Sequence, residues 1–481
     1  MAKKRLTPKS QDLSKWYTEV IQQARLADYS PVKGCMVMRP NGYGIWENIQ
    51  KTLDPLLKNL GVENAYFPLF IPLSFLHKEA EHVQGFSPQL AIVTHAGGKK
   101  LEEELVVRPT SETIMYEMYH RWIHSHRDLP LILNQWNNVV RWEKRTYFFL
   151  RTTEFLWQEA HTAHANHKEA FKMVLDGLES YRCLVEEYLA IPVIKGRKSL
   201  SEKFAGSNMT TTIEAMMPDG KALQAGTSHD LGQNFSKKEV FDISFLNEKG
   251  EIDYAWQTCF GLTTRIIGAL IMVHGDNDGL VLPPKIATTQ VVVIPTEDKR
   301  DVNKLCENLV EGLKKECIRV KIMSDNQHRL GWKLNEAEIQ GIPLILVVGQ
   351  EELNGNYITA KFRHNGKKTT FKLESAINEI VKNLDSIQSE MFRKAIEIRD
   401  AQLNEVNTYA GFKTTMEKKK GFLKAFWCEE DTCEKLIKEE TKATTRCLPF
   451  VDNDGNVLEE QGKCIKCGKP AKHRWLFAQA Y

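Results

Sequence analysis

The sequence contains no long hydrophobic run, and this absence excludes one broad class of protein. No uninterrupted apolar stretch of about 18 residues, the length that a membrane-spanning helix needs, occurs in the 481 residues. The N-terminal stretch MAKKRLTPKS is charged and lacks the apolar segment of an export signal. We therefore expect no membrane partner and a cytoplasmic location.

The chain also has little net charge and no repetitive sequence. The 65 lysines and arginines nearly balance the 62 acidic residues, and the formal charge of +3 neither demands nor excludes an anionic partner. No internal repeat or low-complexity tract is present. A hydrophobic fraction of 42% is ordinary for a globular protein, and the length predicts two or three domains.

One predicted strand carries an unusual set of side chains. Alternate residues of the segment RTTEFLWQEAH share one face of a strand. This face carries Arg151, Thr153, Phe155, Trp157, Glu159 and His161. Burying these polar groups unpaired costs roughly 1–3 kcal/mol each, so the pattern favours a ligand with anionic, planar and ammonium parts. The alternative is a salt-bridged strand on the solvent side of a sheet.

A second strand is predicted just upstream of this face. The run VVRWE contains Arg141 and Glu143, and EKRTYFF is polar and then aromatic, as expected for a hairpin loop. Two antiparallel strands joined in this way would direct Arg141 and Arg151 into one cleft.

These residues resemble motif 2 of the class II aminoacyl-tRNA synthetases, and WQEAHTAH at 157–164 is similar to the prolyl-tRNA synthetases in particular. Further matches follow in the expected order and span most of residues 15–290. They are GCMVMRPNGYGIWENI at 34–49 (motif 1), RPTSE at 108–112 (substrate loop), KFAG at 203–206, QAGTSHDLGQNF at 224–235, and 261–287 (motif 3). Motif 3 is expected to be a strand-to-helix element followed by a last strand that ends at Pro283 and Pro284.

The resemblance implies three domains. Residues 1–287 would form an α+β catalytic domain of the class II synthetase type, an antiparallel sheet flanked by helices. Apolar runs separated by helical patterns after Gln290 predict a βαβ-type unit. By resemblance this unit is an α/β anticodon-binding domain over 288–390, in which Asp325, Arg329, Lys333 and Glu336 occupy plausible nucleotide-contact positions. A generic α/β module for oligomerisation or a small ligand is the alternative.

Residues 391–481 are expected to form a helical connector and a small C-terminal zinc-binding domain. The helical pattern itself runs over 375–420, so it begins within the preceding domain. Two pairs of cysteines in this region can close a tetrahedral thiolate site, and a structural Zn²⁺ would stabilise so small a unit. The resemblance places Cys428, Cys433, Cys464 and Cys467 in that role. Free thiols or disulfides are the alternatives, and His473 could replace one cysteine.

The resemblance also implies the chemistry. An amino-acid carboxylate attacks the α-phosphorus of ATP, so catalysis depends on positioning and on stabilising charge with arginines and Mg²⁺. Arg141, Arg151 and Arg265 would be catalytic, and Arg265 would lie in the first turn of a helix, where it opposes the helix dipole. The implied ATP-binding residues are Arg141, Glu143, Arg151, Thr152, Phe155, Gln224, Thr227, Thr263 and Arg265.

A second set of residues would bind the amino acid. A compact ring between aromatic side chains gains buried area, and a carboxylate orients its ammonium group. The implied proline-binding residues are Thr110, Glu112, Arg141, Trp157, Glu159, His161, Phe204 and His229.

The implied function is the two-step attachment of L-proline to tRNA(Pro). Prolyl-adenylate forms with release of pyrophosphate, and proline then passes to the 3′-terminal adenosine. Motif 1 implies a homodimer, and the short distance from motif 2 to motif 3 leaves no room for an editing insertion. The architecture therefore resembles the archaeal and eukaryotic type.

Rival functions remain open from the sequence. A threonyl, seryl, glycyl or histidyl enzyme lacks WQEAHTAH, and a threonine enzyme would need a catalytic-domain zinc set that the sequence does not indicate. A silent RNA-binding paralogue and a ligase that loads a carrier protein are further alternatives. Cys259-Phe260, Phe148 and Ser207 depart from the family pattern and affect the expected loop shape.

Overall fold

The computed structural model of the protein describes residues 5–79 and 90–481. The first four residues of the N-terminal stretch discussed above lie outside the described residues. Among the helices that are described, none combines the length and the apolar character needed to cross a membrane.

The N-terminal part mixes helices and short and long strands. Its helices are α1 (Leu13–Gln23), α2 (Pro40–Lys58), α3 (Leu73–Glu79), α4 (Glu112–Trp122), α5 (His167–Cys183) and α6 (Arg265–His274). Its strands are β1 (Ala27–Tyr29), β2 (Met36–Met38), β3 (Glu63–Asn64), β4 (Phe70–Pro72), β5 (Ala91–Ala96), β6 (Lys99–Val107), β7 (Leu131–Val140), β8 (Glu154–His164), β9 (Val193–Arg197), β10 (Met209–Met216), β11 (Ala222–Gly232), β12 (Ser244–Leu246), β13 (Ile252–Tyr254) and β14 (Trp256–Thr263).

The centre of this part is an antiparallel sheet with the order β9-β10-β11-β14-β8-β7. Helix α5 covers one face, and Gly177 lets it approach closely because a Cβ there would lie 3.1 Å from the Phe260 ring. Ala160 of β8 is buried in that core, whereas the alternate residues of β8 face the opposite side. The predicted antiparallel sheet flanked by helices is confirmed.

The second part begins at β15 (Val291–Pro295) and is an α/β unit. Its other strands are β16 (Val320–Ile322), β17 (Leu344–Val348), β18 (Tyr357–Phe362) and β19 (Lys368–Lys372), and its helices are α7 (Arg300–Lys315), α8 (Leu330–Ile339), α9 (Gln350–Gly355) and α10 (Ala376–Ala401). Strand β15 pairs in parallel with β16 and β17, and β18 and β19 complete the sheet antiparallel. The predicted βαβ-type unit is confirmed.

The third part extends the sheet of the first. Its elements are β20 (Leu403–Glu405), α11 (Tyr409–Lys418), β21 (Phe422–Trp427), α12 (Asp431–Thr441), β22 (Thr444–Pro449), β23 (Gly462–Lys463), β24 (Pro470–Ala471) and β25 (His473–Ala478). Strand β22 pairs with β9, so one eleven-stranded sheet runs from β20 to β3. Gly196 permits this approach because a Cβ there would lie 2.4 Å from the carbonyl oxygen of Leu448.

Two predicted elements differ from the structure. The last strand expected before Pro283 is extended chain outside any sheet, because the amides of Leu280 and Leu282 donate to the carbonyls of Ile339, at the end of α8, and of Gly341 in the turn that follows. The connector predicted as helical over 375–420 stops at Ala401, and β20 intervenes before α11. Thr408 restarts the helix, since its side chain accepts a hydrogen bond from the amide of Gly411.

Candidate active site

One cavity of about 270 Å³ opens on the face of the central sheet that α5 leaves uncovered. Its walls come from the β7–β8 hairpin, β11, β14, the starts of α4 and α6, and the loop between β9 and β10. The predicted catalytic-domain residues all line it, namely Thr110, Glu112, Arg141, Glu143, Arg151, Thr152, Phe155, Trp157, Glu159, His161, Phe204, Gln224, Thr227, His229, Thr263 and Arg265.

The hairpin positions two of the three predicted catalytic arginines. The amide of Arg141 donates to the carbonyl of Thr153 across the base of the hairpin loop. The Arg141 guanidinium donates to the carbonyl of Pro109 and lies 5.5 Å from the ring centroids of both Phe155 and Trp157. Arg151 donates to Glu143 at 2.8 Å with more than half of its side chain exposed. The cavity therefore has a sheltered cation and a solvent-facing one.

Strand β8 begins later than the sequence predicted. It starts at Glu154, and both Arg151 and Thr152 line the cavity, which strict alternation does not allow. The reason is a tight turn in which Tyr147 and Arg151 pair before the strand begins. From Phe155 onward the alternate residues face the cavity as predicted.

Arg265 is the first residue of α6, where the sequence placed it. Its guanidinium donates to the carbonyl of Leu150, and its amide donates to Thr263 Oγ1. Burial lowers the pKa of Arg265 to about 10, and repulsion from Arg141 and Arg151 adds to this shift. Because like charges and a helix N-terminus all disfavour the cation, an anion bound between these arginines would relieve the strain.

Glu159 occupies the deep end of the cavity and is 1% exposed. Its oxygen atoms accept hydrogen bonds from Ser111, from Gln135 at 2.8 Å and from Asn137 at 2.6 Å. Burial alone would raise the pKa of Glu159, but His161 and these donors hold it below its usual value. A carboxylate is therefore held ionised in a sheltered pocket, where it can pair with an ammonium group.

Two histidines of the cavity have pKa values shifted in opposite directions. Burial acts to lower the pKa of His161, but Glu159, 3.2 Å away, and Glu112 outweigh it and raise that pKa. Burial and the neighbouring His161 lower the pKa of His229 to about 3, and its Nδ1 lies 2.9 Å from Thr210 Oγ1. Phe204 packs 4.9 Å from the His229 ring and closes this side of the cavity.

The sequence did not single out the residues that hold Glu159. Gln135 and Asn137 lie on β7, opposite Glu159 and Trp157 in the strand register. The segment NQWNN is polar on both faces of this strand, so its sequence alone did not indicate which of these side chains contact Glu159. Glu112, His161 and Cys259 also converge, with one potential ligand atom of each within 4.8 Å of the others. Both His161 nitrogens already have protein partners, Tyr116 and Glu159.

The four paired cysteines of the C-terminal part also come together. Their sulfur atoms lie within 4.8 Å of one another, and those of Cys428 and Cys467 are 3.7 Å apart. A zinc–sulfur bond of about 2.3 Å in a tetrahedron implies sulfur separations of about 3.8 Å, so these residues fit a Zn²⁺ ion. His473 instead contacts Glu429 at 2.6 Å, and Cys447 is buried in β22.

A second cavity lies at the ends of β15 and β16. Asp325, Arg329 and Lys333 line it, and His328 stacks on Trp332 with ring centroids 3.7 Å apart. Glu336, the fourth residue suggested from the sequence, does not line this cavity and pairs with Arg25 at 2.7 Å.

Comparison with known proteins agrees with this geometry. The family described as tRNA synthetase class II core domain (G, H, P, S and T) matches residues 94–274, the anticodon binding domain matches 290–383, and prolyl-tRNA synthetase, C-terminal, matches 409–481. The fold and the cavity thus define a class II aminoacyl-tRNA synthetase.

Individual relatives narrow the class. The proline–tRNA ligase of Chlorobium chlorochromatii is 52% identical, with 99% of each chain covered, and that of Chloroherpeton thalassium is 50% identical over the full length of both chains. The crystal structure of prolyl-tRNA synthetase from Cryptosporidium parvum, complexed with halofuginone and AMPPNP, is 42% identical with a TM-score of 0.94 and covers 99% of each chain. The chain belongs to the prolyl-tRNA synthetase family, as its motifs predicted.

Proposed function

We infer that the protein attaches L-proline to tRNA(Pro) at the expense of ATP. The proline carboxylate attacks the α-phosphorus, pyrophosphate leaves, and a hydroxyl of the 3′-terminal adenosine then takes proline and releases AMP. The observation that carries this function is the single cavity that joins three arginines to an ionised, buried Glu159. The family relatives named above are proline–tRNA ligases.

The arginine end of the cavity binds ATP in this proposal. Arg141 bridges the α-phosphate and the proline carboxylate in this proposal, because its charge interacts both with Glu112 and Glu159 and with Arg265. Arg151 meets the outer phosphates, and Arg265 covers adenine opposite Phe155. The other contacts are Glu143, Thr152, Gln224, Thr227 and Thr263. Mg²⁺ held near Gln224 and Thr227 would neutralise charge on the phosphates.

The carboxylate end binds proline. Glu159 and Glu112 face the secondary ammonium, and Thr110 donates a hydrogen bond to Glu112 that orients it. The remaining pocket residues are Trp157, His161, Phe204 and His229. This arrangement stabilises the amino acid by ring burial and by an ion pair in a sheltered site.

The other parts of the chain serve the tRNA and the stability of the fold. The division into a catalytic domain at 1–287, an anticodon-binding domain at 288–390 and a connector with a zinc-binding domain at 391–481 is supported by the three matched families. The cavity beside His328 and Arg329 offers a stacked aromatic pair and a cation for a nucleotide. Cys428, Cys433, Cys464 and Cys467 would hold a structural Zn²⁺.

We also propose that the protein is a homodimer and acts in the cytoplasm. Four large apolar side chains close together in the sequence are 42–67% exposed around the motif 1 region, namely Tyr29, Val32, Val37 and Tyr43. Several exposed large apolar side chains in one segment favour an interface there. Sedimentation should give twice the mass of one chain, and a monomeric mass at micromolar concentration would contradict the dimer.

ATP–pyrophosphate exchange across the twenty amino acids tests the function. We expect exchange with proline, reduced about 10²–10³-fold or more in Arg141→Ala because a charge-stabilising contact to the reacting phosphate is lost. Arg145→Ala is the matched control, since Arg145 lies exposed in the same hairpin loop. Exchange with another amino acid would overturn the proline pocket, and no exchange at all would favour the silent RNA-binding paralogue.

A further inference from the structure

The loop between β9 and β10, residues 198–208, forms a wall of the amino-acid end of the cavity. Glu202, Lys203 and Phe204 of this loop line the cavity. The amide of Phe204 donates to Thr210 Oγ1 at 2.8 Å, and the same hydroxyl lies 2.9 Å from His229 Nδ1. The position of this loop therefore sets the shape of the pocket around Phe204 and His229.

A side chain from the C-terminal part holds the loop from outside. Glu434 lies in the first turn of α12, next to Cys433, and is 5% exposed. Its carboxylate accepts hydrogen bonds from Ser199 Oγ at 2.9 Å and from Ser201 Oγ at 2.6 Å. Thr445 of β22 donates to the same carboxylate, which ties it to the central sheet.

These hydrogen bonds reach Phe204 through a single turn of chain. The amides of Glu202 and Lys203 donate to the carbonyl of Ser199 at 3.2 Å and 3.0 Å. Fixing Ser199 and Ser201 therefore fixes the turn that leads into Phe204. At the surface, Lys438 of the same helix reaches Glu202 at 3.4 Å, an exposed pair that contributes little.

We propose that Glu434 is a positioning residue for proline, which holds the 198–208 loop so that Phe204 closes the pocket against His229. This inference rests on the proposed assignment of that end of the cavity to proline. Glu434 does not line the cavity, and it acts by holding the loop in this position.

Steady-state exchange kinetics of the full-length enzyme test the proposal. In Glu434→Ala we expect the KM for proline to rise about tenfold and the KM for ATP to change less than about twofold, because only the amino-acid wall loses its anchor. Glu434→Gln keeps one acceptor oxygen and should restore most of the affinity. Glu439→Ala removes an exposed carboxylate from the same helix and should change neither KM.

Two further variants keep the test decisive. Ser201→Ala removes one hydrogen bond from the loop side and should raise the KM for proline even where Glu434→Ala does not fold. Phe204→Ala tests the pocket itself. A raised KM for proline in Phe204→Ala, with normal values in Glu434→Ala and Ser201→Ala, would overturn the positioning role alone. Normal KM values for proline in all three variants would overturn the pocket assignment as well. Equal changes in the KM values for proline and for ATP would indicate a general structural defect and would also overturn the positioning role.

Discussion

His164, at the end of β8, shows how burial of one residue makes stability depend on pH. Its side chain is 2% exposed and lies 2.8 Å from Thr162 Oγ1. Burial lowers the pKa of His164 to about 4, although Glu169 partly opposes the shift. In the unfolded chain the same imidazole takes up a proton near pH 6.5, so the folded state holds fewer protons between pH 6.5 and 4.

The folded protein should therefore lose stability as the pH falls through this window, by up to about 3 kcal/mol from His164 alone. His164→Gln removes one titrating group and should make the decrease of the thermal midpoint between pH 6.5 and 4.5 smaller, with the remaining decrease due to other buried histidines such as His229. His95→Gln replaces an exposed histidine and should leave the wild-type profile unchanged. Parallel profiles for His164→Gln and wild type would show that this imidazole contributes nothing.

At the scale of elements, helix α2 depends on a close approach that only glycine allows. A Cβ on Gly42 would lie 2.2 Å from the carbonyl oxygen of Leu26, which also accepts a hydrogen bond from the amide of Arg39. Backbone cannot move away as a flexible side chain would, so Gly42→Ala should destabilise the protein by about 1–3 kcal/mol. The measurement is the urea dependence of tryptophan fluorescence, with Trp46 buried in the same helix.

Gly331 is the opposite case in helix α8. A Cβ there meets nothing within 4 Å, so Gly331→Ala should stabilise the protein by ~0.5–1 kcal/mol through the lower entropy of the unfolded chain. A neutral or stabilising Gly42→Ala would contradict the steric argument for Gly42, and a destabilising Gly331→Ala would contradict the entropic argument for Gly331.

The elements that the sequence predicted correctly are those with a clear local pattern of polar and apolar residues. The alternation in β8 is strong because each face has one environment, so the sequence alone predicts that Phe155, Trp157 and Glu159 share a face. The turn before Glu154 broke that alternation, because the tight pairing of Tyr147 with Arg151 has no periodic signature. Alternation also does not say which strands pair, so the contact of β22 with β9 was not predictable from either strand.

Contacts between residues far apart in the sequence also could not be predicted for the site. Sequence motifs grouped the predicted site residues, whereas Glu202 and Thr210, which also line the cavity, lie outside the matched segments. Glu434 lies outside all of these segments, and its hydrogen bonds to Ser199 and Ser201 join positions 235 and 233 residues apart. Only the continuous sheet brings α12 to the loop, so a sequence without coordinates carries no signal for this contact.

At the scale of the whole molecule, the C-terminal part and the catalytic part share one sheet and a buried ionic cluster. Glu214 of β10 accepts from Lys198 at 2.7 Å and from Arg446 of β22 at 2.8 Å, and its side chain is fully buried. Burial would raise the pKa of Glu214, but Arg446 and Lys198 outweigh it and lower that pKa. Removing one partner of such a cluster costs about 3–5 kcal/mol, so the two parts are expected to unfold together.

Loss of the four-cysteine metal site should therefore also disturb the active site. We expect about one zinc per chain in the purified protein and none in Cys464→Ser, because one missing thiolate opens a tetrahedral structural site. Cys317→Ser, which alters an exposed cysteine of the second part, should keep the metal.

The thermal midpoint of Cys464→Ser should fall by several degrees, and proline-dependent exchange should be lost over the same temperature range. The reason is that β22 pairs directly with β9, and Glu434 of α12, the helix that carries Cys433, accepts hydrogen bonds from Thr445 of β22 and from Ser199 of the 198–208 loop. Calorimetry and exchange measured on the same samples distinguish the possibilities. An early transition that leaves exchange intact would show that the C-terminal part unfolds independently, and a metal-free wild type with an unchanged midpoint would contradict the zinc site.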